Sequence, residues 1–272
     1  MSDQRSAIRN QQSAISDQES AIRNQESAIS YQQSGISNQE SKIKKMKPIG
    51  QNWITLRRSL PDEVLLLAVS KYHTIEDIRD AYEAGCRDFG ESRVQELKVK
   101  QAALPEDIRW HFIGHLQTNK VRDLLRLRPY LIHSVDSLHL LRAIDQEAAK
   151  QGIVQDILLE LHVAKEQTKT GFSPEELHNL FTSLFPKNGE SEECHFRVKG
   201  LMGMATNTDD EAEIRRCFRT LHDHFAWLQE QADAMRVPWL SPTQLSMGMS
   251  DDYQIALTEG STLVRIGSAI FA

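Results

Sequence analysis

The sequence predicts an α/β protein with a single (β/α)8 barrel, of the TIM-barrel type, over residues 48–272. Residues 65–72 open with a continuous apolar run, which is typical of a strand in a parallel sheet that is covered on both faces. Eight strand-like segments then alternate with helix-like segments over about 225 residues, close to the usual size of such a barrel. A doubly wound open sheet is the competing architecture, but it usually has fewer strands.

The elements follow one another with clear start and stop signals. Thr74 and Asp77 form a capping-box pattern, Gly85 suits a helix end, and Ser173-Pro174 suits a helix start. Strands are predicted at 65–72, 86–90, 109–113, 130–134, 156–163, 196–202, 244–247 and 263–266. Helices are predicted at 50–59, 74–84, 94–104, 120–127 and 138–151, with further helices opening at Ser173, Thr208 and Ser250.

Composition excludes several classes of protein. The net charge of −6 disfavours a general nucleic-acid binder, and no apolar run approaches the roughly 18 residues that span a bilayer. The polar N-terminus lacks a signal-peptide core, and three widely spaced cysteines suit reduced thiols. We therefore expect a cytoplasmic protein with no membrane or nucleic-acid partner.

Residues 1–47 form a low-complexity tail. A serine–isoleucine pattern repeats every seven residues, but the second heptad position that a coiled coil needs is glutamine. Abundant Ser, Gln and Asn predict a disordered or weakly helical segment, and we expect a monomer. Two alternatives are a weak oligomerising helix and an untranslated upstream stretch, with Met46 as the working start. The repeated isoleucines are Ile8, Ile15, Ile22, Ile29, Ile36 and Ile43.

Lys71 lies at the C-terminal end of the first predicted strand, the end at which barrels place reactive and cofactor-binding groups. A single lysine there more often extends its stem over apolar surface into water. Its interpretation as a reactive amine therefore depends on what the other strand ends supply.

The ends of strands seven and eight supply groups that suit an anion. Barrels often bind phosphate in these two loops, where glycine allows close backbone approach and serine adds a hydroxyl donor. Ser246, Gly267 and Ser268 are the candidates. Each glycine–serine pair taken alone is more simply a turn.

Arg265 is predicted to point into the barrel, because it shares a strand face with Leu263. A guanidinium there needs a partner, either a structural carboxylate or a ligand in the barrel mouth. A lysine, a phosphate-binding turn and an inward arginine together suggest pyridoxal 5′-phosphate (PLP), held as a Schiff base on Lys71.

His111 and His115 are four residues apart, but they do not predict a metal site. On a strand this spacing covers about 13 Å, too far to share one ion. The sequence also lacks a dinucleotide-binding glycine motif, a P-loop and a nucleophile elbow.

Several motifs resemble the pyridoxal phosphate homeostasis protein family over about residues 50–272. The strongest match is the C-terminal pair LSMGMSDD and VRIGSAIF. The matching stretches are residues 68–71, 89–96, 110–120, 133–137, 169–171, 200–202, 245–252 and 264–271.

The resemblance implies a barrel like the N-terminal domain of alanine racemase, with PLP on Lys71. It places Ser246, Gly267 and Ser268 at the phosphate and Arg265 near the pyridine nitrogen. Many members carry asparagine and tyrosine at Ser92-Arg93 and threonine at the positions of Tyr72 and Ser268. Because serine keeps the hydroxyl, phosphate binding should survive, whereas a contact from position 92 is in question.

The resemblance further implies a PLP carrier in vitamin B6 and amino-acid homeostasis, without turnover, whose cofactor passes to PLP-dependent apo-enzymes. Arginine cannot accept a proton from the pyridine ring, so the ring is a weaker electron sink. The related racemases bring a second acid–base residue from an added β-domain and a partner subunit, which we expect to be missing here. The alternative is a weak racemase-like PLP enzyme, and a third hypothesis is an interaction module built on the tail.

Overall fold

A computed structural model of the chain describes residues 46–166, 170–184 and 193–272, of which Pro48–Ala272 form one compact unit. Its strands are β1 (Leu65–Val69), β2 (Asp88–Glu91), β3 (Arg109–Phe112), β4 (Leu131–Val135), β5 (Gln155–Glu160), β6 (Phe196–Met202), β7 (Leu240–Ser246) and β8 (Leu263–Ile266). Its helices are α1 (Pro48–Ser59), α2 (Ile75–Glu83), α3 (Val94–Ala103), α4 (Thr118–Arg126), α5 (Leu138–Gln151), α6 (Pro174–Leu184), α7 (Glu211–Met235), α8 (Tyr253–Thr258) and α9 (Ser268–Phe271).

The eight strands form a closed parallel barrel in sequence order, and a helix follows each strand. The prediction of a (β/α)8 barrel is confirmed. The predicted repeat tail falls almost wholly outside the described residues, so the division at residue 47 stays a prediction. Within the described ranges, no helix is long and apolar enough to cross a membrane.

Local sequence signals predicted where most of the helices and strands begin. The capping box at Thr74 forms, with the Asp77 amide donating to the Thr74 hydroxyl and the Asp77 carboxylate accepting from the Thr74 amide. Gly85 follows the cap of α2 with φ +109°, a conformation that glycine adopts without strain. The long helix α7 starts later than predicted, because Asp210 rather than Thr208 caps it.

The strand boundaries differ from the prediction most at β1, β5 and β7, and β5 ends at Glu160 rather than at the predicted residue 163. The first strand ends at Val69, and the chain then turns, reaching φ +71° at Tyr72, so Lys71 lies just beyond the strand. Strand β7 begins at Leu240, four residues before its predicted start. The first half of β7 was not predicted because it contains polar residues and Pro242, which are not typical of a buried strand.

The barrel has two distinct buried regions. Most apolar side chains pack between the sheet and the surrounding helices in one large cluster. A small second cluster, Leu131, Leu158 and Met202, comes from β4, β5 and β6. Much of the remaining buried volume is polar, including both His111 and His133.

A buried ion pair fixes the chain immediately before Lys71. The Lys100 ammonium donates to the Glu91 carboxylate at 2.7 Å and to the Ser70 carbonyl oxygen at 2.9 Å. The Ser70 hydroxyl donates to the same Glu91 oxygen at 2.6 Å. Burial raises the pKa of Glu91, while Lys100 and Ser70 act in the opposite direction. The pair therefore couples α3 and β2 to the turn that carries Lys71.

We expect Lys100→Met to lower the free energy of unfolding by about 3–5 kcal/mol at neutral pH, because Glu91 would remain buried without its cation. The variant raises the folded-state pKa of Glu91 further. Below its unfolded pKa of about 4.3 the carboxyl is protonated in both states, so the penalty is smallest there and grows as the pH rises. Denaturant unfolding at pH 4 and pH 7 measures this difference.

The matched control is the double variant Lys100→Met with Glu91→Gln, which keeps the hydrogen bond to Ser70 and removes the charge. It should recover most of the loss at neutral pH. An equal loss at both pH values would show that the ion pair does not carry the effect.

Candidate functional site

A cavity of about 400 Å³ opens at the C-terminal ends of the strands, and we call it the strand-end cavity. It receives side chains from strands on opposite sides of the barrel. Its lining residues are Val69, Lys71, Ile113, His115, Ser134, Glu160, Thr170, Met202, Met204, Met249, Ser250, Asp251, Arg265, Gly267 and Ser268.

Lys71 reaches this cavity from the turn after β1. Among the residues that the structure describes, no carboxylate lies within ion-pair distance of its ammonium group. The ammonium group lies 6.0 Å from the centre of the Tyr72 ring. The lysine is therefore accessible and free of a carboxylate partner, as an amine that condenses with an aldehyde must be.

Arg265 lines the cavity from β8 but is almost completely buried. Its Nη1 donates to the Ser246 carbonyl oxygen and hydroxyl at 2.8 and 2.7 Å, and its Nη2 donates to the Gly203 carbonyl oxygen at 3.0 Å. Burial lowers its pKa to about 10, while the charges of Asp252 and Glu160 act in the opposite direction. It is thus a buried cation at neutral pH.

The structural ion pair that could have explained Arg265 does not form within the described part of the chain. Both of its Nη groups donate to neutral oxygens, and nothing described accepts from its Nε. Nε is also absent from the set of fully buried polar atoms that lack a hydrogen-bond partner. Since Arg265 lines the strand-end cavity, its Nε and the second hydrogen of Nη2 are the donors that the described contacts leave for a ligand there.

Gly267 and Ser268 line the same cavity beside β1. Gly267 has an ordinary φ of −113°, and the atoms nearest to a side chain there would belong to Val69, at 3.4 Å or more. The fold does not need glycine at this position, but a methyl group would occupy space next to Val69, another lining residue. The glycine therefore leaves room beside Val69. The hydroxyls of Ser250 and Ser268 have no hydrogen-bond partner in the described ranges.

Unlike the other predicted site residues, Ser246 is not among the residues that line the cavity. It is completely buried at the end of β7 and does not line the cavity. Its hydroxyl accepts from Arg265 at 2.7 Å and bonds His133 Nδ1 at 3.1 Å. The structure instead brings Ser250 to the cavity, four residues further along the chain.

The opposite wall contains acidic groups that sequence reasoning did not single out. Glu160, the last residue of β5, is buried, accepts from the Thr170 hydroxyl at 3.1 Å, and has its pKa raised by burial. His115 pairs with Asp136 at 3.3 Å. Position near the end of a predicted strand was the available signal for His115, Ser134 and Asp136, whereas Glu160 fell inside the strand predicted at 156–163. Lys169, from the KTG motif, lies outside the described residues.

The two histidines considered for a metal are separated by the structure. His111 is buried and bonds His133, whereas His115 is exposed at the cavity. Across the described ranges, no group of three or more His, Cys, Asp or Glu side chains could hold a metal ion.

Two departures from the family pattern, Tyr72 and Arg93, contact each other outside the lining of the cavity. The Arg93 guanidinium lies 5.3 Å from the centre of the Tyr72 ring, within the range of a cation–π contact. Arg93 also pairs with Glu96 at 3.2 Å. Neither Tyr72 nor Arg93 lines the cavity, and Ser92 does not either.

Comparison with known proteins identifies relatives of this chain. Residues 45–272 match the family described as "Alanine racemase, N-terminal domain". The pyridoxal phosphate homeostasis protein of Helicobacter pylori is 39% identical over 210 residues, covering 76% of this chain and 87% of the relative. That of Aquifex aeolicus is 40% identical over 207 residues, covering 76% and 85%.

A solved structure shows the same architecture. PipY of Synechococcus elongatus with PLP bound is 37% identical and covers 82% of this chain and all of its own, with a TM-score of 0.71. The form without PLP has a TM-score of 0.74. The matched identity and coverage extend over the whole barrel. The chain belongs to the pyridoxal phosphate homeostasis protein family, within the alanine racemase N-terminal-domain fold.

Proposed function

We propose that this protein binds pyridoxal 5′-phosphate in the strand-end cavity as a Schiff base of Lys71. It serves vitamin B6 and amino-acid homeostasis in the cytoplasm as a monomer, and PLP-dependent apo-enzymes receive the cofactor. PLP supplies an aldehyde that condenses with primary amines and a ring that withdraws electrons.

The observation that carries the proposal is the meeting of three groups around one cavity. Among the described residues no carboxylate pairs with the Lys71 amine and none accepts from Nε of the buried Arg265, and Gly267 leaves room beside Val69. A phosphorylated aromatic aldehyde needs these three features together: an amine, a donor for its ring and space for its phosphate. The PLP-bound relative supports the same assignment.

Each of these residues has its own role in holding the cofactor. Lys71 forms the covalent bond, and Arg265 donates from Nε toward the pyridine nitrogen. Gly267 and Ser268 hold the phosphate, with the Ser250 hydroxyl in the place first expected for Ser246. Ser246 acts behind the cavity, through its hydrogen bond to Arg265.

We further propose that the protein carries the cofactor without turnover. An arginine with a pKa of about 10 stays protonated at neutral pH and donates to the ring nitrogen, so the ring stays a weak electron sink. The naming of its relatives as homeostasis proteins supports this role. His115, held by Asp136, is the observation that favours weak racemase-like activity instead, since it places a proton carrier at the cavity.

We expect purified protein mixed with PLP to show a visible band that borohydride converts to a fixed adduct on the peptide containing Lys71. Lys71→Ala should lose the band, because no amine remains to form the Schiff base. Absorption spectra and peptide mass mapping measure both effects. Lys98→Ala, at an exposed position on α3, is the control and should behave as the unaltered chain.

The same samples test turnover. Incubation of the loaded protein with L-alanine should leave its chirality unchanged. Saturable interconversion that disappears in Lys71→Ala would establish the racemase-like alternative. Failure of the unaltered chain to take up excess PLP would refute the binding proposal itself.

Gly267→Ala should weaken PLP binding about tenfold or more, because the new methyl group takes up room that the phosphate needs. The free energy of unfolding should change by only about 0.5 kcal/mol, since the added carbon meets ordinary contacts. Gly152→Ala is the matched control. No atom crowds that position, but its φ of +63° costs roughly 1 kcal/mol for alanine.

The two glycine variants should therefore show opposite behaviour in a PLP titration and in denaturant unfolding. Gly152→Ala loses stability and keeps affinity, whereas Gly267→Ala loses affinity and keeps stability. Unchanged affinity in Gly267→Ala would place the phosphate elsewhere.

A further inference from the structure

A continuous chain of buried polar side chains crosses the barrel behind Arg265. Arg265 Nη1 donates to the Ser246 hydroxyl at 2.7 Å, and this hydroxyl bonds His133 Nδ1 at 3.1 Å. His133 Nε2 lies 2.9 Å from His111 Nδ1, and His111 Nε2 lies 3.3 Å from Asp88 Oδ1. We call these five residues the polar chain.

The polar chain passes through the interior of the barrel. Ser246 and His133 belong to β7 and β4, which are three strands apart in the closed sheet, so their bond must cross the interior. Asp88 lies at the start of β2 and pairs with Arg109, a half-exposed residue at the start of β3. The polar chain therefore runs from the strand-end cavity to the opposite end of the barrel.

The direction of every hydrogen bond follows from Arg265, since a guanidinium can only donate. The Ser246 hydroxyl accepts from Arg265 and gives its single proton to His133 Nδ1. His133 must then carry its proton on Nε2, which donates to His111 Nδ1. His111 likewise carries its proton on Nε2, which donates to the Asp88 carboxylate.

The reverse order fails at both ends. With protons on both Nδ1 atoms, Ser246 would receive two donors, and nothing in the described ranges would accept its own proton. In that order the unprotonated Nε2 of His111 would face the Asp88 carboxylate, so that two acceptors would lie against each other. The forward order needs two neutral rings, and burial lowers the pKa of both histidines, which favours the neutral form.

This order aligns the dipoles of the polar chain. The hydroxyl and both rings present their negative ends toward Arg265 and their positive ends toward Asp88. A buried guanidinium with no ion pair among the described residues is thus connected to a carboxylate through three neutral groups. Aligned bonds in a low-dielectric interior strengthen one another, so the chain stabilises the cation and fixes its orientation.

We propose that His133 and His111 are positioning residues for the cofactor. Their one-directional hydrogen-bond chain holds Arg265 so that its two Nη groups stay engaged and its Nε faces the strand-end cavity. This inference rests on the proposed contact between Arg265 and PLP for its functional consequence. The order of protons along the chain does not depend on that contact.

The first experiment measures the histidine tautomers without cofactor. Nuclear magnetic resonance of the full chain with ¹⁵N-labelled histidine, assigned through single-histidine variants, should show His133 and His111 neutral and protonated on Nε2 at neutral pH. A proton on Nδ1 of either ring, or a cationic ring, would overturn the chain.

The second experiment measures PLP affinity and the visible spectrum in variants. His133→Leu removes the acceptor of the Ser246 hydroxyl and should weaken PLP binding about tenfold, with a shifted band, because Arg265 loses its fixed orientation. His133→Asn offers an acceptor near the former Nδ1 position and should recover much of the loss. His139→Leu, at an exposed position on α5, should change nothing.

Ser246→Ala provides a smaller change if His133→Leu does not fold, and it should weaken binding to a similar extent. In an Arg265→Lys background, His133→Leu should have little further effect, because it acts through Arg265. If the unaltered chain binds PLP and both His133→Leu and Ser246→Ala keep its affinity and spectrum, the positioning role is refuted. If the unaltered chain takes up no PLP, the proposed function fails, and the tautomers alone decide the proton order.

Discussion

The pairing of β1 with β8 is the constraint on which the candidate site depends. It closes the barrel and sets Leu67 opposite Arg265 and Ala68 opposite Ile266. Lys71 and Gly267 lie at opposite ends of the sequence, yet this register places the turns after the two strands side by side. The positions of the Lys71 amine and of the space next to it therefore depend on barrel closure, and a shifted β1–β8 register would displace both.

The interior of this barrel uses polar groups where apolar layers are more usual. Arg265, Ser246, His133, His111 and Asp88 hydrogen-bond one another across it, together with the buried apolar residues Leu67 and Leu263 and the small cluster Leu131, Leu158 and Met202. Loss of one member leaves a buried polar group unpaired and destabilises the fold, whereas the complete network favours a single arrangement of the side chains. This network lies behind Arg265, and the accessible Lys71 lies on a turn whose preceding residue, Ser70, is hydrogen-bonded to both members of the Glu91–Lys100 pair.

Sequence patterns predicted the barrel, which the structure confirms, and they drew attention to strand ends at which most of the candidate residues line one cavity. Apolar runs, caps and glycine turns mark the strand ends, and Lys71, Arg265, Gly267 and Ser268 lie there. Ser246 was harder to interpret, since the sequence does not show how far a strand runs inside the barrel before the chain turns outward. β7 ends at Ser246, and the chain needs Gly248, with φ +92°, to reach the cavity at Ser250. The meeting of His133 and His111 with Ser246 depends on strand stagger, which no local pattern encodes.

Three of the four departures from the family pattern, Tyr72, Ser92 and Arg93, lie outside the lining of the cavity. Ser268 is a departure within the lining, and it keeps the hydroxyl. Tyr72 and Arg93 form one contact in space, where an exposed aromatic ring at φ +71° packs against a guanidinium that also pairs with Glu96. Ser92, whose short side chain put a cofactor contact in question, lies outside the lining. Because these three side chains are not among the lining residues, the departures at positions 72, 92 and 93 leave the described lining of the cavity unchanged.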